Sequence, residues 1–546
     1  MSVAKMANGN GRDDRSPHYD AIIIGAGASG LYALHRLRSL GLGVRVYEAG
    51  SGIGGTWFWN RYPGARCDVE SLEYSYGFSN ELQQEWRWPD RYSIQPDILR
   101  YFNYMSDKFN LWPDIQFNTQ IVSQIYDEVA KLWRLRTDKG EALSARYCIM
   151  ASGNLSTPRV PDFKGLENFK GAWYHSARWP QDGVDFTGQR VALIGTGATG
   201  VQMVPKIAPN AKHLYVMQRT ANFSIPARNG PLSDEDDRRH KARYPEHRNA
   251  ALKTGFGMAL FEQPTKGAMD DTGEERQRRY EARWEAGGSI NFLSSYNDAL
   301  LSEESNETAA EFVRNKIRSI VQDPKTAELL CPKDHPIGSK RLCVDTDYYE
   351  TFNLPNVALV DVRSDPIQEI TETGVRTRDA YYEVDAIAFA TGFDAITGAL
   401  LAIDIRGRGG VPLADRWRHG PLTYLGLMVS GFPNMFIITG PGSPSVKSNM
   451  IVSIEQHVNW IADCLAYMGD RQKSVIEANE AQESKWVDHV NEVANRTLYP
   501  MANSWYTGAN IPGKPRIFMP YVGGIPAYHK KCDEVAANDY EGFHLE

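Results

Sequence analysis

Apolar runs and apolar residues at helical spacing alternate near the start of the chain. The segment HYDAIIIGAGASGLYALHRLRSLGLGVRVYE begins with an uninterrupted apolar run at residues 21–24, which is typical of a strand buried on both faces. Leu31, Leu34 and Leu37 then recur at helical spacing, and GVRVYE indicates a second strand that ends at Glu48. The pattern predicts a strand–helix–strand unit.

The same order recurs later in the chain. Residues 188–220, GQRVALIGTGATGVQMVPKIAPNAKHLYVMQRT, predict a second strand–helix–strand unit. A further apolar strand in residues 383–394, EVDAIAFATGFD, runs into the turn Ala390-Thr391-Gly392. Two α/β units and an additional buried strand therefore indicate an α/β fold with parallel sheets.

The remaining segments have a different pattern of charged and apolar residues. Residues 227–335 are charged and helix-prone and have no strand alternation, which predicts a helical insertion with solvated charged faces. Residues 434–439, NMFIIT, predict another strand, and residues 449–468 predict a long helix, because their apolar positions recur at helical spacing.

Length, charge and cysteine content narrow the class of protein. A chain of 546 residues exceeds one typical core and predicts two to four domains. The net charge of −7 gives no reason to expect a nucleic acid or an anionic membrane as partner, and no run of 18 apolar residues predicts a membrane span. The six scattered cysteines form no C-x-x-C pair and suit reduced thiols in the cytoplasm.

The first α/β unit carries a dinucleotide-binding motif. Gly25, Gly27 and Gly30 form G-x-G-x-x-G between the strand and the helix. These glycines permit the tight turn, the close approach of a pyrophosphate and helix–strand contact, and the helix N-terminus offers free N–H groups. Glu48 can accept hydrogen bonds from ribose hydroxyls. The unit predicts a site for a dinucleotide with a free ribose, either FAD or NAD.

The second unit differs at one position. Gly195, Gly197 and Gly200 repeat the motif, but Gln218 lies 18 residues after Gly200, where Glu48 lies 18 residues after Gly30. Arg219 and Thr220 follow Gln218 directly. A carboxylate would repel a 2′-phosphate and a guanidinium would bind one, so this site is predicted to hold NADP. The alternative is that Arg219 is a solvated surface charge.

Two nucleotide sites in one chain suggest electron transfer from NADPH to a flavin. Disulfide reductases also do this, but they need a redox-active cysteine pair, and Cys67 has no close cysteine neighbour in sequence. The remaining interpretation is a flavoprotein that passes electrons to oxygen or to another acceptor.

Residues 169–180, FKGAWYHSARWP, point to a specific family. They resemble the fingerprint F-x-G-x-x-x-H-x-x-x-W-P of type I Baeyer–Villiger monooxygenases through Phe169, Gly171, His175, Trp179 and Pro180. The related N- and S-oxidising flavin monooxygenases usually have Tyr or Phe at the position of Trp179.

Other segments extend this resemblance over nearly the whole chain after residue 18. Residues 54–68, GGTWFWNRYPGARCD, match a G-G-x-W…Y-P-G…D pattern, and residues 340–353 look like the arginine segment of the family. Residues 440–450 and 503–514 look like its active-site loops. The chain is therefore identified as a member of this family, in its phenylacetone-monooxygenase-like branch.

The resemblance implies two Rossmann-like domains, for FAD and NADP, with a helical insertion in the NADP domain. The expected division is a disordered tail at 1–17, an FAD domain at 18–153 and 388–546, an NADP domain at 154–226 and 336–387, and a helical subdomain at 227–335.

The family's chemistry, carried over to this chain, gives the expected reaction. NADPH reduces FAD, oxygen adds at the flavin C4a atom, and the peroxyflavin attacks a ketone to give an ester or lactone. Arg341 is the expected cation that keeps the peroxide anionic, and Asp68 is expected to hold Arg341. The alternative is that the two residues form a structural ion pair.

The resemblance also implies the residues that bind each molecule. Expected FAD-binding residues are Gly25, Gly27, Ser29, Gly30, Glu48, Thr56, Trp57, Asp68, Tyr74, Val122 and Met450. Expected NADP-binding residues are Arg66, Gly195, Thr196, Gly197, Thr199, Gly200, Gln202, Arg219, Thr220, Lys340 and Trp505. The expected substrate pocket comprises Val69, Asn154, Leu155, Ser445, Val446 and Lys447.

The roles of Trp505, His175 and Lys447 are open to more than one interpretation. Trp505 resembles a tryptophan that closes over the nicotinamide, and the alternative is a core or surface tryptophan. His175 could act as a general base, yet we expect His175 and Trp179 to clip the linker onto the NADP domain and so couple cofactor binding to domain closure. Lys447 departs from the family, which often has an apolar residue there, and it could extend to the rim of the pocket or contact a polar group on a larger substrate.

Two rival functions remain. One is a flavin monooxygenase whose main task is oxidation of sulfides or amines, and sulfoxidation is in any case expected as a side activity. The other is a nucleotide-sensing protein that uses FAD and NADP structurally.

The expected partners are a small ketone and O2, with no nucleic acid, membrane or metal. The protein is expected to be a cytoplasmic monomer or weak homo-oligomer.

Overall fold

The computed structural model describes residues 17–546. The disordered tail expected at residues 1–17 therefore lies outside the described residues except for Pro17. Within residues 17–546, no helix is long and apolar enough to cross a membrane.

The strands are short and lie mostly in two separate sheets. In chain order they are β1 His18–Ile24, β2 Val44–Tyr47, β3 Ile115–Gln116, β4 Ile121–Asp127, β5 Leu132–Thr137, β6 Ala142–Met150, β7 Ala172–His175, β8 Arg190–Ile194, β9 His213–Gln218, β10 Ser224–Pro226, β11 Cys343–Asp345, β12 Val357–Asp361, β13 Ile367–Thr371, β14 Gly374–Thr377, β15 Tyr381–Glu383, β16 Ala386–Phe389, β17 Asp404–Arg406, β18 Met435–Ile437, β19 Ile476–Ala478 and β20 Phe543–Leu545.

The helices connect these strands and fill the long insertion. They are α1 Ala28–Arg38, α2 Thr56–Trp59, α3 Asn80–Glu85, α4 Gln95–Lys108, α5 Ala198–Ile207, α6 Asp234–Lys241, α7 Tyr244–Ala251, α8 Gly273–Ala286, α9 Ser289–Leu293, α10 Glu303–Ile320, α11 Pro324–Leu330, α12 Tyr348–Thr351, α13 Gly398–Leu401, α14 Leu413–Arg416, α15 Met450–Asp470, α16 Glu480–Asn495 and α17 Ile525–Ala537.

The first sheet is built around β1. Its order is β17-β4-β5-β6-β1-β2-β3, and β18 also pairs with β6. β1 lies parallel to both β2 and β6, and the predicted apolar run is fully enclosed, since Ala21, Ile22 and Ile23 have no exposed surface. The long predicted C-terminal helix is α15, and Asn449 caps it by accepting a hydrogen bond from the N–H of Ile451. α15 packs against α1 on this sheet.

The second sheet is entirely parallel. Its order is β12-β9-β8-β16-β7, and β8 at its centre pairs with β9 and β16. Val191, Ala192 and Leu193 of β8 are fully buried, as expected for a strand covered on both faces. The two predicted α/β units therefore form the centres of two separate parallel sheets, which confirms the predicted fold class.

The chain passes between the two sheets twice. It leaves the first sheet at the end of β6 and enters the second at β7, and it returns between β16 and β17. Residues 227–335 contain α6 to α11 and no strand. The buried aromatic residues of α8 to α10 pack in the same core cluster as β8 and α5. Arg248 of α7 and Ala259 instead hydrogen-bond to Glu73 and Ser75, so the insertion contacts both halves of the protein.

Candidate functional site

One cavity of about 1070 Å³ reaches from the first sheet to the second. It opens at the carboxyl ends of β1 and β8, and it contains both glycine-rich turns. In parallel α/β sheets, ligands bind in the crevice beyond the carboxyl ends of the strands. The cavity is therefore placed and sized for two dinucleotides that meet end to end.

The first glycine turn is closed to any side chain. A Cβ on Gly30 would lie 1.9 Å from the carbonyl oxygen of Gly25, and one on Gly25 would lie 2.6 Å from that of Ala151. Gly25 also has a φ of 104°, which favours glycine. The close helix–strand packing that the motif predicts is present, and α1 begins immediately after Gly27 with its N-terminus at the cavity.

Glu48 lies on the cavity wall directly after β2. Its two carboxylate oxygens accept hydrogen bonds from the N–H groups of Ala26 and Gly50, each at 2.7 Å. Burial raises the pKa of Glu48, and the two N–H groups oppose that rise. The side chain of Trp59 also hydrogen-bonds to Glu48, so only part of the acceptor capacity of Glu48 is left for ribose hydroxyls.

Most other residues expected at the first nucleotide line the same cavity. They are Gly27, Ser29, Thr56, Trp57, Asp68, Tyr74 and Met450. The indole N–H of Trp57 donates to the hydroxyl of Tyr74 at 3.1 Å, which fixes both rings.

Val122, which was also predicted to bind FAD, lies outside this group. Its side chain is 38% exposed and does not line the cavity, whereas its neighbours Gln120 and Ile121 do. The pairing of β4 is irregular between Ile121 and Ser123, and Val122 is exposed at this irregularity.

The second glycine turn repeats the construction of the first. A Cβ on Gly200 would lie 2.1 Å from the carbonyl oxygen of Gly195, and one on Gly195 would lie 2.5 Å from that of Ala390. Gly197 has nothing within 4 Å of its Cβ position and lines the cavity together with Gly195, Thr196 and Thr199. The backbone of this turn is therefore open to a pyrophosphate.

A group of cations lies where the second nucleotide would place its ribose. Arg219, Thr220 and Lys340 line the cavity, and so does Arg159, which the sequence prediction missed. Burial and repulsion from Arg219 together lower the pKa of Arg159, and burial lowers that of Lys340. Gln218 turns away and donates to the carbonyl oxygen of Leu329 at 2.7 Å, so no carboxylate competes for the phosphate.

Asp68 and Arg341 form an ion pair on the wall between the two nucleotide ends. Nε of Arg341 lies 2.9 Å from Oδ2 of Asp68, although the residues are 273 positions apart in sequence. The other carboxylate oxygen accepts from Gln202 at 3.2 Å, and the hydroxyl of Tyr62 donates to Gln202 at 2.8 Å. Arg341 and Gln202 thus fix the two oxygens of the Asp68 carboxylate, and Tyr62 holds Gln202.

Arg341 faces the cavity. Its side chain keeps 39% of its surface accessible while that of Asp68 keeps 7%. Within the described chain neither Nη group of Arg341 has a hydrogen-bond acceptor, so both remain available to a ligand. The Asp68 carboxylate raises the pKa of Arg341 further above its usual value, and the guanidinium stays charged at every working pH.

Gln202 and Arg66 connect the two halves of the site. Besides Asp68, the amide of Gln202 donates to the carbonyl oxygen of Arg66 at 3.2 Å, which ties α5 to the loop before Asp68. Both residues line the cavity, as predicted for the second nucleotide, and Gln202 also belongs to the support of Arg341.

The expected substrate residues lie next to this ion pair. Val69, Asn154, Leu155, Val446 and Lys447 line the cavity. Ser445 is buried behind that wall, where its hydroxyl accepts from the amide of Asn154 at 2.8 Å.

Trp505 lies on the cavity wall in a loop that is tied to the turn after β16. Asn510 donates to the carbonyl oxygen of Phe393 at 2.7 Å, and Lys514 pairs with Asp394 at 2.6 Å. Tyr506 and Tyr499, also on the wall, were not predicted, because no local pattern distinguishes them from core tyrosines.

His175 does not line the cavity. Its Nδ1 accepts from the N–H of Ala177 at 3.1 Å, so Nε2 carries the proton and donates to the carbonyl oxygen of Arg159 at 3.1 Å. Thr391 donates to the same oxygen at 2.6 Å. Trp179 is buried against Tyr174.

These contacts place His175 at the junction of β7, the linker and the turn after β16, beside Arg159, Ala177 and Thr391 of the cavity wall. Within residues 17–546, no group of three or more His, Cys, Asp or Glu side chains could hold a metal ion.

Comparison with known proteins finds similarity over almost the full length. Residues 20–229 match the family model described as flavin-binding monooxygenase-like. A Baeyer–Villiger monooxygenase from Pseudooceanicola batsensis is 43% identical over 96% of this chain and 95% of its own length.

Two further relatives add detail. The phenazine N-monooxygenase PhzNO1 from Lysobacter antibioticus is 41% identical over 98% of both chains. OTEMO, whose crystal structure in complex with FAD and NADP is known, has 42% sequence identity to this chain. The two structures superpose with a TM-score of 0.94 over 97% of this chain and 100% of that one.

Proposed function

The chain belongs to the flavin-binding monooxygenase-like family, as one of its FAD-dependent Baeyer–Villiger monooxygenases, and on that premise we propose that it inserts one atom of O2 next to a ketone carbonyl to give an ester or lactone. FAD and NADPH are its cofactors. The observation that carries the proposed reaction is the cavity-facing Arg341, held by Asp68 between the two glycine-rich turns.

Bound FAD supplies the oxygen activation, proposed to proceed through a C4a-peroxyflavin. The residues present fit the two dinucleotides, because side chains at Gly25, Gly30, Gly195 or Gly200 would collide with the backbone that forms each turn. In the proposed arrangement, the turn at Gly25–Gly30 and Glu48 hold FAD, and Trp57 and Tyr74 pack at its inner end.

Arg341 is proposed to stabilise negative charge at the reacting centre. A guanidinium with two free Nη groups can donate to an anionic oxygen without losing its proton, and Asp68 fixes its direction. Sulfide and amine oxidation needs a protonated, electrophilic oxidant instead, so a permanent cation here favours attack on a carbonyl. Sulfoxidation then remains a side activity.

Arg219, Lys340 and Arg159 are proposed to bind the 2′-phosphate of NADPH. Their charges converge on one end of the cavity, and Gln218 offers no carboxylate there. Trp505 is proposed to close over the nicotinamide end, because its loop is anchored at Asn510 and Lys514.

Replacing Arg219 by alanine is expected to raise KM for NADPH by about 10- to 100-fold, the range of a charge-assisted hydrogen bond. KM for NADH should stay unchanged, because NADH has no 2′-phosphate. Steady-state kinetics with both coenzymes measure this. Arg239→Ala, which removes an exposed arginine of α6, is the matched control. Equal rises for NADPH and NADH would show that Arg219 does not read the phosphate.

Replacing His175 by alanine is expected to lower kcat partially and to raise KM for NADPH. The change removes the hydrogen bond that ties β7 to the linker at Arg159, a net loss of about 1 kcal/mol. Flavin-reduction kinetics at several NADPH concentrations separate the two effects, and His213→Ala on β9 is the control. A variant without turnover but with wild-type NADPH binding would point to proton transfer by His175.

The proposed reaction is tested against its rivals in one incubation. The FAD-loaded protein receives NADPH, air, a ketone and a thioether, and the products are identified. An ester formed with consumption of NADPH supports the proposal. Sulfoxide alone would support a sulfide or amine oxidase, a possibility that the N-oxidising relative keeps relevant. No oxidation of NADPH would support a nucleotide-sensing protein.

The remaining parts of the proposal concern organisation. We propose an FAD domain at 18–153 and 388–546, an NADP domain at 154–226 and 336–387, and a helical subdomain at 227–335. The expected boundary at 387/388 falls inside β16, which pairs with β7 and β8 up to Phe389, so the return to the FAD domain lies after Phe389. A cytoplasmic location fits the six buried free cysteines. The oligomeric state is proposed as monomeric or weakly associated.

A further inference from the structure

Lys447 lies on the cavity wall in an unusual environment. Its Nζ lies 3.9 Å from the ring centroid of Tyr499 and 4.5 Å from that of Tyr506. The two rings stabilise an ammonium group through cation–π attraction. Burial, together with repulsion from the nearby Arg341, lowers the pKa of Lys447 to about 7.

The backbone holds Lys447 firmly. It ends a short 3-10 helix, Ser445–Lys447, and its N–H donates to the carbonyl oxygen of Pro444 at 3.0 Å. Ser445 is in turn fixed by Asn154. The side chain therefore has a defined position at the cavity.

No acidic side chain balances the charge of Lys447. Within the described residues, Lys447 has no salt bridge, and the acidic side chains on the cavity wall are Glu48 and Asp68. Backbone N–H groups bind Glu48, and Arg341 and Gln202 bind Asp68. A half-buried ammonium without a counter-ion beside a second cation is costly, and the cost is relieved when the group loses its proton or when a ligand supplies negative charge.

We propose that Lys447 recognises an anionic substrate, and that the ketone this enzyme prefers carries a carboxylate that binds the Lys447 ammonium while its carbonyl lies at Arg341. The inference rests on the proposed function and names the substrate class for it. Asp68 balances the charge of Arg341, whose Nη groups are free for the reacting oxygen, whereas Lys447 has no acidic partner within the described residues. A neutral ketone leaves the ammonium unpaired, so the same residue disfavours neutral substrates.

The test uses methyl ketones that end in a carboxylate, from 4-oxopentanoate to 10-oxoundecanoate, each paired with its methyl ester. The readout is the ratio of kcat/KM for acid and ester at the best chain length. The wild type should favour the acid, and Lys447→Met should lower the ratio by about tenfold or more, as expected for a lost charge-assisted hydrogen bond. Circular dichroism and FAD content verify that the variant is folded.

The outcomes separate this inference from the proposed function. A ratio that Lys447→Met leaves unchanged, or a wild type that oxygenates only the esters, would overturn the inference and leave the proposed function intact. So would a variant whose only defect is a higher KM for NADPH, because Lys447 would then bind the cofactor. If the wild type oxygenates neither series nor any simple ketone, the proposed function itself fails.

A pH profile supplies a second readout. Burial raises the pKa values of Tyr499 and Tyr506, and Asp68 raises that of Arg341, so these neighbours keep their charge state near neutrality. Lys447 is an ammonium below its pKa of about 7 and an amine above it. KM for the acid should therefore rise between pH 6 and pH 8.5 without a parallel rise for the ester. Parallel changes for acid and ester would contradict the inference.

Discussion

Replacing Arg341 by alanine is expected to abolish ester formation while NADPH still reduces the flavin. The substitution removes the cation whose free Nη groups face the cavity, and loss of one such positioned donor costs about 2.7–4 kcal/mol in the transition state. The rate of ester formation should fall by about 10²- to 10³-fold. Oxygen consumption should continue, with hydrogen peroxide as the product.

Product analysis and hydrogen peroxide assays measure the two outcomes side by side. Arg496→Ala is the matched control, because Arg496 forms an exposed ion pair with Glu492 outside the cavity. The Arg341 variant should fold, because Asp68 keeps its hydrogen bond from Gln202. Circular dichroism and FAD content verify this. If the Arg341 variant forms ester at a wild-type rate, Arg341 is not the required cation.

Alanine at Gly30 and at Gly200 is expected to remove one cofactor each. A Cβ at Gly30 would lie 1.9 Å from the backbone oxygen of Gly25, and one at Gly200 would lie 2.1 Å from that of Gly195. Relieving such overlaps must shift backbone, at a cost of about 3 kcal/mol or more, which is roughly 100-fold in affinity. Gly30→Ala should therefore lose FAD, and Gly200→Ala should keep FAD but lose reduction by NADPH.

The absorbance of bound flavin and the NADPH dependence of its reduction distinguish the two variants. Gly273→Ala is the control, because nothing lies within 4 Å of its Cβ position and it begins α8 in the helical insertion. If Gly200→Ala loses FAD while Gly30→Ala retains it, the assignment of the two turns is reversed.

The parts of the site that depend on local geometry could be predicted from the sequence. The two glycine turns follow from spacing, because strand, turn and helix are adjacent in the chain, and the helix α15 follows from its apolar periodicity. The positions of Arg341 and Asp68 came from resemblance to a family, since no local rule brings together residues 273 positions apart.

Other features could not be predicted because they arise only from packing. The exposure of Val122 coincides with an irregularity in the pairing of β4, which no local sequence pattern shows. Arg159 reaches the phosphate end of the cavity from a linker without regular structure. The tyrosines around Lys447 lie in a separate segment, so the charge of Lys447 was visible in the sequence and its surroundings were not.

The most direct measurement of the central claim is a single turnover under ¹⁸O₂. The FAD-loaded protein is reduced with one equivalent of NADPH, mixed with ¹⁸O₂ and a ketone, and its products are analysed by mass spectrometry. We predict an ester or lactone that carries one ¹⁸O atom, formed by the wild type and not by Arg341→Ala. Recovery of unchanged ketone with hydrogen peroxide from the wild type, or an ester without the label, would contradict the account.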